Sequence, residues 1–229
     1  MFPATLFDFN GVLVDDEHVH LEAFRDTLRP LGIELTEQQY WDDYLGFDDS
    51  GAFDAILRAH GRPVDSAIVA GLVEAKRPHY MQRARAELKT FAGAAALIRA
   101  RAEAGPVAVV SGALTQEIEF GLEQLGVRAL VPLIVSAEDT QVSKPDPEGY
   151  QKGVDYLRGL IGEAATRALV FEDSPAGIAA AKAIGLPVVA LAHSYGAAEL
   201  HETQADLVVE RLEQVTTEML DALYARLYG

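Results

Sequence analysis

An α/β fold is predicted, with a doubly wound parallel sheet interrupted early by an all-helical insertion. Three observations carry that expectation. Short apolar runs rich in β-branched residues recur through the second half of the chain, as "PVAVVSG", "ALVPLIVS", "ALVFED" and "LPVVALA". A stretch with helical spacing separates each from the next, and strands alternating with helices build a parallel sheet covered on both faces. Between Asp15 and Thr90 no such run occurs, and every stretch reads as helix or turn.

The first strand is Thr5 to Phe9, an apolar run bounded by Pro3 and Gly11. Such a run suits a buried strand that hands its last residues to a loop. From about Asp15 the pattern turns helical: Leu21, Phe24, Leu28 and Leu31 recur at three and four, with Asp15 and Asp16 placed to cap or complement the helix start. Further helices are predicted at about Glu37 to Leu45, Phe53 to His60 and Ser66 to Leu88, separated by Gly, Asp and Pro signals. After Gly93 an Ala-rich helix runs to about Ala104, and "PVAVVSG" follows as a strand. Gln116 to Leu125 reads as helix, "ALVPLIVS" as a strand broken by Pro132, and Pro147 to Leu160 as helix. The strand "ALVFED", a helix from Ala176 to Ile184 and the strand "LPVVALA" complete the alternation. The expected domains are a sheet core of residues 1–14 and 91–229 and a helical insertion of residues 15–90.

At 229 residues, 49% of them hydrophobic, the chain is long enough to bury a sizeable core. Gly, Pro or a charge breaks every apolar run before the roughly 20 residues a membrane span needs, and no tripartite leader is read ahead of the first strand. With no cysteine, disulfides and thiolate metal sites are excluded. A formal net charge of -16 argues against a nucleic-acid or anionic-membrane surface. The expectation is a cytoplasmic protein, and any phosphate ligand must be met by local positive charge.

In an open parallel sheet, ligands bind outside the carboxyl ends of the strands. The polar residues there are Asp8 and Asn10 after the first strand, Ser111 and Gly112 after the second, Ser143 and Lys144 near the third, and Glu172 and Asp173 after the fourth. Alone, each reads as a turn or cap residue. Four strand ends that together offer acids, a hydroxyl and a lysine form a pattern.

Those residues carry a resemblance. "DFNGVLVD", "VVSGA", "SKPDPEGY" and "FEDSPAGIAAAKAIGLPVV" resemble, in order, the four motifs of the haloacid dehalogenase superfamily, in its β-phosphoglucomutase-like branch with a helical cap. The resemblance implies a Rossmann-like core and phosphatase chemistry in which Asp8 is the nucleophile that becomes an aspartyl phosphate. Asp8 and Asp173, with Glu172 directly or through water and Asn10 through its backbone carbonyl, would hold Mg2+, a cation that prefers oxygen ligands. Ser111, the Gly112 amide and Lys144 would hold the transferring phosphoryl oxygens.

Asn10 departs from the pattern, because the family carries an acid two residues after the nucleophile. A carboxamide can orient but cannot transfer a proton, and such help is worth about 10² to 10⁴ in rate. Turnover is therefore expected to be impaired, or rerouted through another base, and His20, in the implied hinge between core and cap, is the candidate. In the cap, Asp48 and Asp49 stand where mutase-like members grip a second phosphate. Their acids favour a simple phosphomonoesterase, or they cap the helix that follows. Lys76 and Arg77 are the cap's candidate phosphate partners or a solvated helix face, and the neighbours of Lys76, "EAKRPHY", do not read as an apolar pocket. The expected ligands are Mg2+ and a small phosphorylated metabolite, with no nucleic acid and no membrane, on a monomer or weak homodimer. A non-catalytic phosphate binder, a mutase and a dehalogenase are the alternatives.

Overall fold

Six short strands lie side by side in a single parallel sheet in the computed structural model, which describes residues Met1–Gly229. They are β1 (Thr5–Phe7), β2 (Val107–Val110), β3 (Leu133–Val135), β4 (Leu169–Glu172), β5 (Val188–Leu191) and β6 (Leu207–Val209). Their spatial order is β3-β2-β1-β4-β5-β6. The register sets Phe7 beside Val109 on one side and Phe171 on the other, so β1, β2 and β4 end together. The order reverses at β1, and the crevice at its carboxyl end is the ligand position of a doubly wound sheet.

Side-chain chemistry explains why these segments are strands. β1, β2, β4 and β5 are buried at every residue, which suits near-continuous apolar runs covered by helices on both faces. One face packs Leu6, Val110, Val170 and Val188 against Tyr150, Leu157 and Ile178 from the covering helices. Phe7 and Phe171 stack with ring centroids 5.1 Å apart.

By its internal contacts the chain divides into Met1–Val14 with Thr90–Gly229, and Asp15–Lys89. Two-residue strands at Val14–Asp15 and Lys89–Thr90 lie where the chain passes between these units. The second unit is helical: α1 (Glu17–Leu28), a short turn of helix (Glu37–Gln39) widening into a π-helical turn (Tyr40–Tyr44), α2 (Asp49–Ala59) and α3 (Ser66–Glu87). Its own core gathers Leu21, Phe24, Leu28, Phe53, Ile56 and Leu57. α2 starts at Asp49, four residues before the apolar pattern begins, because the Asp48 carboxylate accepts the Gly51 N–H at 2.7 Å. Asp16 occupies the cap position of α1 but makes no cap bond.

The first unit continues with α4 (Ala94–Ala104), α5 (Thr115–Gln124), α6 (Glu148–Ile161) and α7 (Pro175–Ala183). The broken strand "ALVPLIVS" resolves into a 3-10 turn at Arg128–Leu130 and β3 after Pro132. β6, a short helix at Ala197–His201 and α8 (Thr217–Tyr228) lie beyond the last element expected from sequence.

Candidate active site

The carboxyl ends of β1 and β4 deliver two acids to one point, and a lysine from the loop after β3 joins them. Lys144 Nζ donates to Asp8 Oδ1 and to Glu172 Oε1, each at 2.6 Å, and to the Val110 carbonyl at 3.2 Å. Lys144 is mostly buried, and Glu172 entirely so. Burial alone works against charge on Lys144, but the carboxylates of Asp8 and Glu172 outweigh it and hold its pKa well above the ordinary lysine value. The lysine is therefore a fixed cation.

Glu172 is occupied on both oxygens. Oε1 accepts from Lys144 and from the Tyr150 hydroxyl at 3.0 Å. Oε2 accepts from the Asp173 N–H at 2.9 Å and from the Ser174 N–H and Oγ at 3.0 Å each. Burial pushes its pKa up, but Lys144 and these donors bring it below the usual glutamate value. α7 starts directly over this carboxylate, and a Cβ on Gly177 would sit 1.6 Å from Glu172 Oε1. Only glycine allows that approach.

Asp8 has the opposite balance. Burial raises its pKa most, Lys144 lowers it in part, and the charge of Glu172 raises it again, leaving Asp8 at about 7. Burial together with the second carboxylate outweighs the one lysine. Oxygens of Asp8, Glu172 and Asp173 all lie within 4.8 Å of one another, a buried carboxylate set that fits a divalent cation. Glu172 already accepts five hydrogen bonds, so Asp8 and Asp173 are the better placed to hold it.

Asn10 and Ser111 meet at the same strand ends. Ser111 Oγ donates to Asn10 Oδ1 at 3.3 Å, while the Ser111 N–H is held by the Val135 carbonyl at 2.9 Å. With Oδ1 accepting, the carboxamide NH2 is the end of Asn10 that can serve a ligand as donor. Gly112 follows Ser111 directly and is exposed. Asp8, Asn10, Ser111, Lys144, Glu172 and Asp173 thus come together within the sheet unit.

The helical unit assembles a second buried cluster. Lys76 Nζ lies 2.5 Å from Asp49 Oδ1 and 2.7 Å from His20 Nδ1, and 4.4 Å above the Phe24 ring. Lysine only donates, so His20 Nδ1 accepts and the ring proton sits on Nε2, which lies 3.3 Å from Asp16 Oδ2. Tyr80 donates to that same Asp16 oxygen at 2.6 Å. The sequence expectation for Lys76 is corrected here: it is fully buried against aromatic faces, neither solvated nor without an apolar pocket. Arg77 pairs with Glu74 at 3.2 Å, and Asp48 is committed to capping α2.

Tyr150, His193 and Ser194 are the residues that sequence reasoning passes over. Tyr150 lies inside the quoted "SKPDPEGY" stretch, and the other two lie two and three residues past β5, so position near a strand end is the signal that could find them.

The chain is similar to known proteins along its whole length. The family described as haloacid dehalogenase-like hydrolase matches residues 5–191. A relative from Streptomyces hygroscopicus subsp. limoneus, validoxylamine A 7'-phosphate phosphatase, is 31% identical, covering 94% of this chain and 96% of its own. Among solved structures, β-phosphoglucomutase from Clostridium difficile superposes with a TM-score of 0.83 at 20% identity over 99% of both chains. CbbY from Rhodobacter sphaeroides in complex with phosphate gives 0.81 at 24% identity over 96% of this chain and 100% of that one. The fold, the strand-end acids and the match over most of its length agree: the chain belongs to the haloacid dehalogenase-like hydrolase family, as a hydrolase with a phosphatase relative along its full length.

Proposed function

We propose that the chain is a Mg2+-dependent phosphomonoesterase acting on a small phosphorylated metabolite through an aspartyl phosphate on Asp8. The observation that carries this reading is the Lys144 ammonium bridging Asp8 and Glu172 beside Asp173. Asp8 Oδ1 is tied to Lys144, which leaves Oδ2 to attack phosphorus. The new bond joins Oδ2 to phosphorus while the bond to the leaving oxygen breaks, and that oxygen takes the electron pair and needs a proton. Water then attacks phosphorus, the aspartyl bond breaks, and inorganic phosphate leaves.

Lys144, Ser111 and the Gly112 amide supply preorganised donors to the transferring phosphoryl group. When bound, Mg2+ supplies charge neutralisation between the carboxylates and the phosphoryl oxygens. Asn10 can donate a hydrogen bond to the leaving oxygen but cannot give it a proton. Proton transfer is therefore impaired or passes through another group, with His20 the candidate; its Nδ1 is engaged by Lys76, so only Nε2 carries an exchangeable proton in this arrangement.

The helical unit acts as a cap that selects substrate. Lys76 is neutralised by Asp49 and Arg77 is paired with Glu74, so neither is an uncommitted cation for a second phosphate. A monophosphate fits such a cap better than a bisphosphate, which favours a phosphatase over a mutase. The protein is further proposed to be cytoplasmic and a monomer or weak homodimer; no helix is long and apolar enough to cross a membrane.

The test is phosphate release from sugar, polyol and acyl phosphates with Mg2+ and with a chelator. Release that the chelator stops supports the reading. Asn10 favours one rival, a phosphate-ligand binder, and ligand affinity without release of phosphate is the result that selects it.

A further inference from the structure

The loop that follows Asp8 is held from a fifth strand end. Gly11 turns it with φ of 68°, and the Gly11 N–H donates to the Val14 carbonyl at 2.9 Å. That N–H shares a planar trans peptide with the Asn10 carbonyl, which therefore points away from Val14. The next carbonyl, Gly11 O, lies 2.7 Å from His193 Nδ1. A carbonyl only accepts, so Nδ1 carries the proton.

His193 stands two residues past β5, half-buried, with its ring stacked on Phe91 at 3.9 Å between centroids and 16° between planes. Beside it, a Cβ on Gly11 would meet Ser194 Oγ at 2.6 Å and Asp173 Oδ2 at 1.8 Å. The loop is wedged between Asp173 and the His193–Ser194 turn. Both peptides flanking Gly11 are pinned, one by Val14 and one by His193.

We propose that His193 is a positioning residue for the phosphoryl-transfer site. By holding Gly11 O it fixes the turn at Gly11 that lies against the Asp173 carboxylate, and so positions the loop after Asp8 beside the acid cluster. The inference rests on the Mg2+-dependent reading above, but cation binding tests it without turnover. Groups that orient a metal ligand typically control about 10- to 100-fold in metal affinity or activity.

Two variants separate the hydrogen bond from the ring. His193→Phe keeps an aromatic face for Phe91 and removes the donor, whereas His193→Asn keeps an N–H near the place of Nδ1 and removes the ring. Mg2+ binding is measured by calorimetry on the whole chain, with melting temperature, kcat and KM for phosphate release alongside. The expected result is a folded His193→Phe with Mg2+ binding and kcat each reduced about tenfold or more and KM changed less, and substantial recovery in His193→Asn.

Parent-like Mg2+ binding in His193→Phe overturns the proposal, as does a parent chain that binds no Mg2+. If His193→Phe does not fold, His193→Ala decides beside His193→Asn: a loss of Mg2+ binding of about tenfold in His193→Ala that His193→Asn recovers supports the role, and parent-like binding in His193→Ala rejects it. Normal Mg2+ binding without phosphate release in the parent counts against the phosphatase reading alone, and the calorimetry still decides the role of His193.

Discussion

Two buried lysines sit among acids in this molecule, and their surroundings differ in one decisive respect. In the sheet unit, Lys144 faces three clustered carboxylates, Asp8, Glu172 and Asp173. In the helical unit, Lys76 is closed in by one paired carboxylate, a neutral imidazole nitrogen and the Phe24 and Tyr80 rings. The second cluster comes closer to satisfying itself, with Asp49 Oδ1 met by Lys76 and Asp16 Oδ2 by Tyr80 and His20, although Asp49 Oδ2 has no partner. In the first, burial, offset only in part by Lys144, and then the charge of Glu172 raise Asp8 to about 7. A buried group of acids left undercompensated favours an added cation; a more nearly compensated one serves to hold helices together.

The sharpest way to break the comparison is Asp8→Asn. Phosphate release falls to background, because Asp8 Oδ2 is the proposed nucleophile and Glu172, the other acid that Lys144 holds, already accepts five hydrogen bonds. The same variant reports the charge imbalance in the metal-free protein. A carboxyl whose folded pKa is raised contributes stability that is fully present below its unfolded value near 4 and is lost as pH rises through about 7. The melting temperature of Asp8→Asn is therefore expected to gain on the parent chain as pH rises from 5 to 8. A constant difference across that range contradicts the assignment.

Lys144→Met comes next. Removing one preorganised donor costs about 10² to 10³ in kcat, measured by phosphate release at saturating substrate. Lys76→Met acts on stability: it leaves Asp49 buried without its cation, at a cost of about 3–5 kcal/mol by denaturant titration. Adding Asp49→Asn restores most of that loss if the pair is self-contained, and no recovery breaks the contrast. Asp48→Ala is the smallest, about 1 kcal/mol from the lost cap of α2, with kcat unchanged.

The core strands and the acids at their ends were legible because a parallel strand buried on both faces writes itself as an apolar run that stops at a polar residue. The burial of Lys76 was not legible in "EAKRPHY", since residues adjacent in sequence leave a helix in different directions. Its partners come from α1 and from Asp49, with Tyr80 one turn along its own helix. β6 is three residues long and only partly buried, too short for an alternating pattern to stand out. His193 belongs to no motif quoted from the sequence, and its place two residues past β5 gains meaning from the close approach of Gly11.

The most direct test of the account compares phosphate release by this chain and by Asn10→Asp, with Mg2+, on the best substrate of the panel. The aspartate variant is expected to be faster by about a hundredfold or more, because the amide cannot pass a proton to the leaving oxygen. An aspartate variant no faster than this chain contradicts an impaired proton transfer at Asn10, and moves the proton to another group, with His20 the first to substitute.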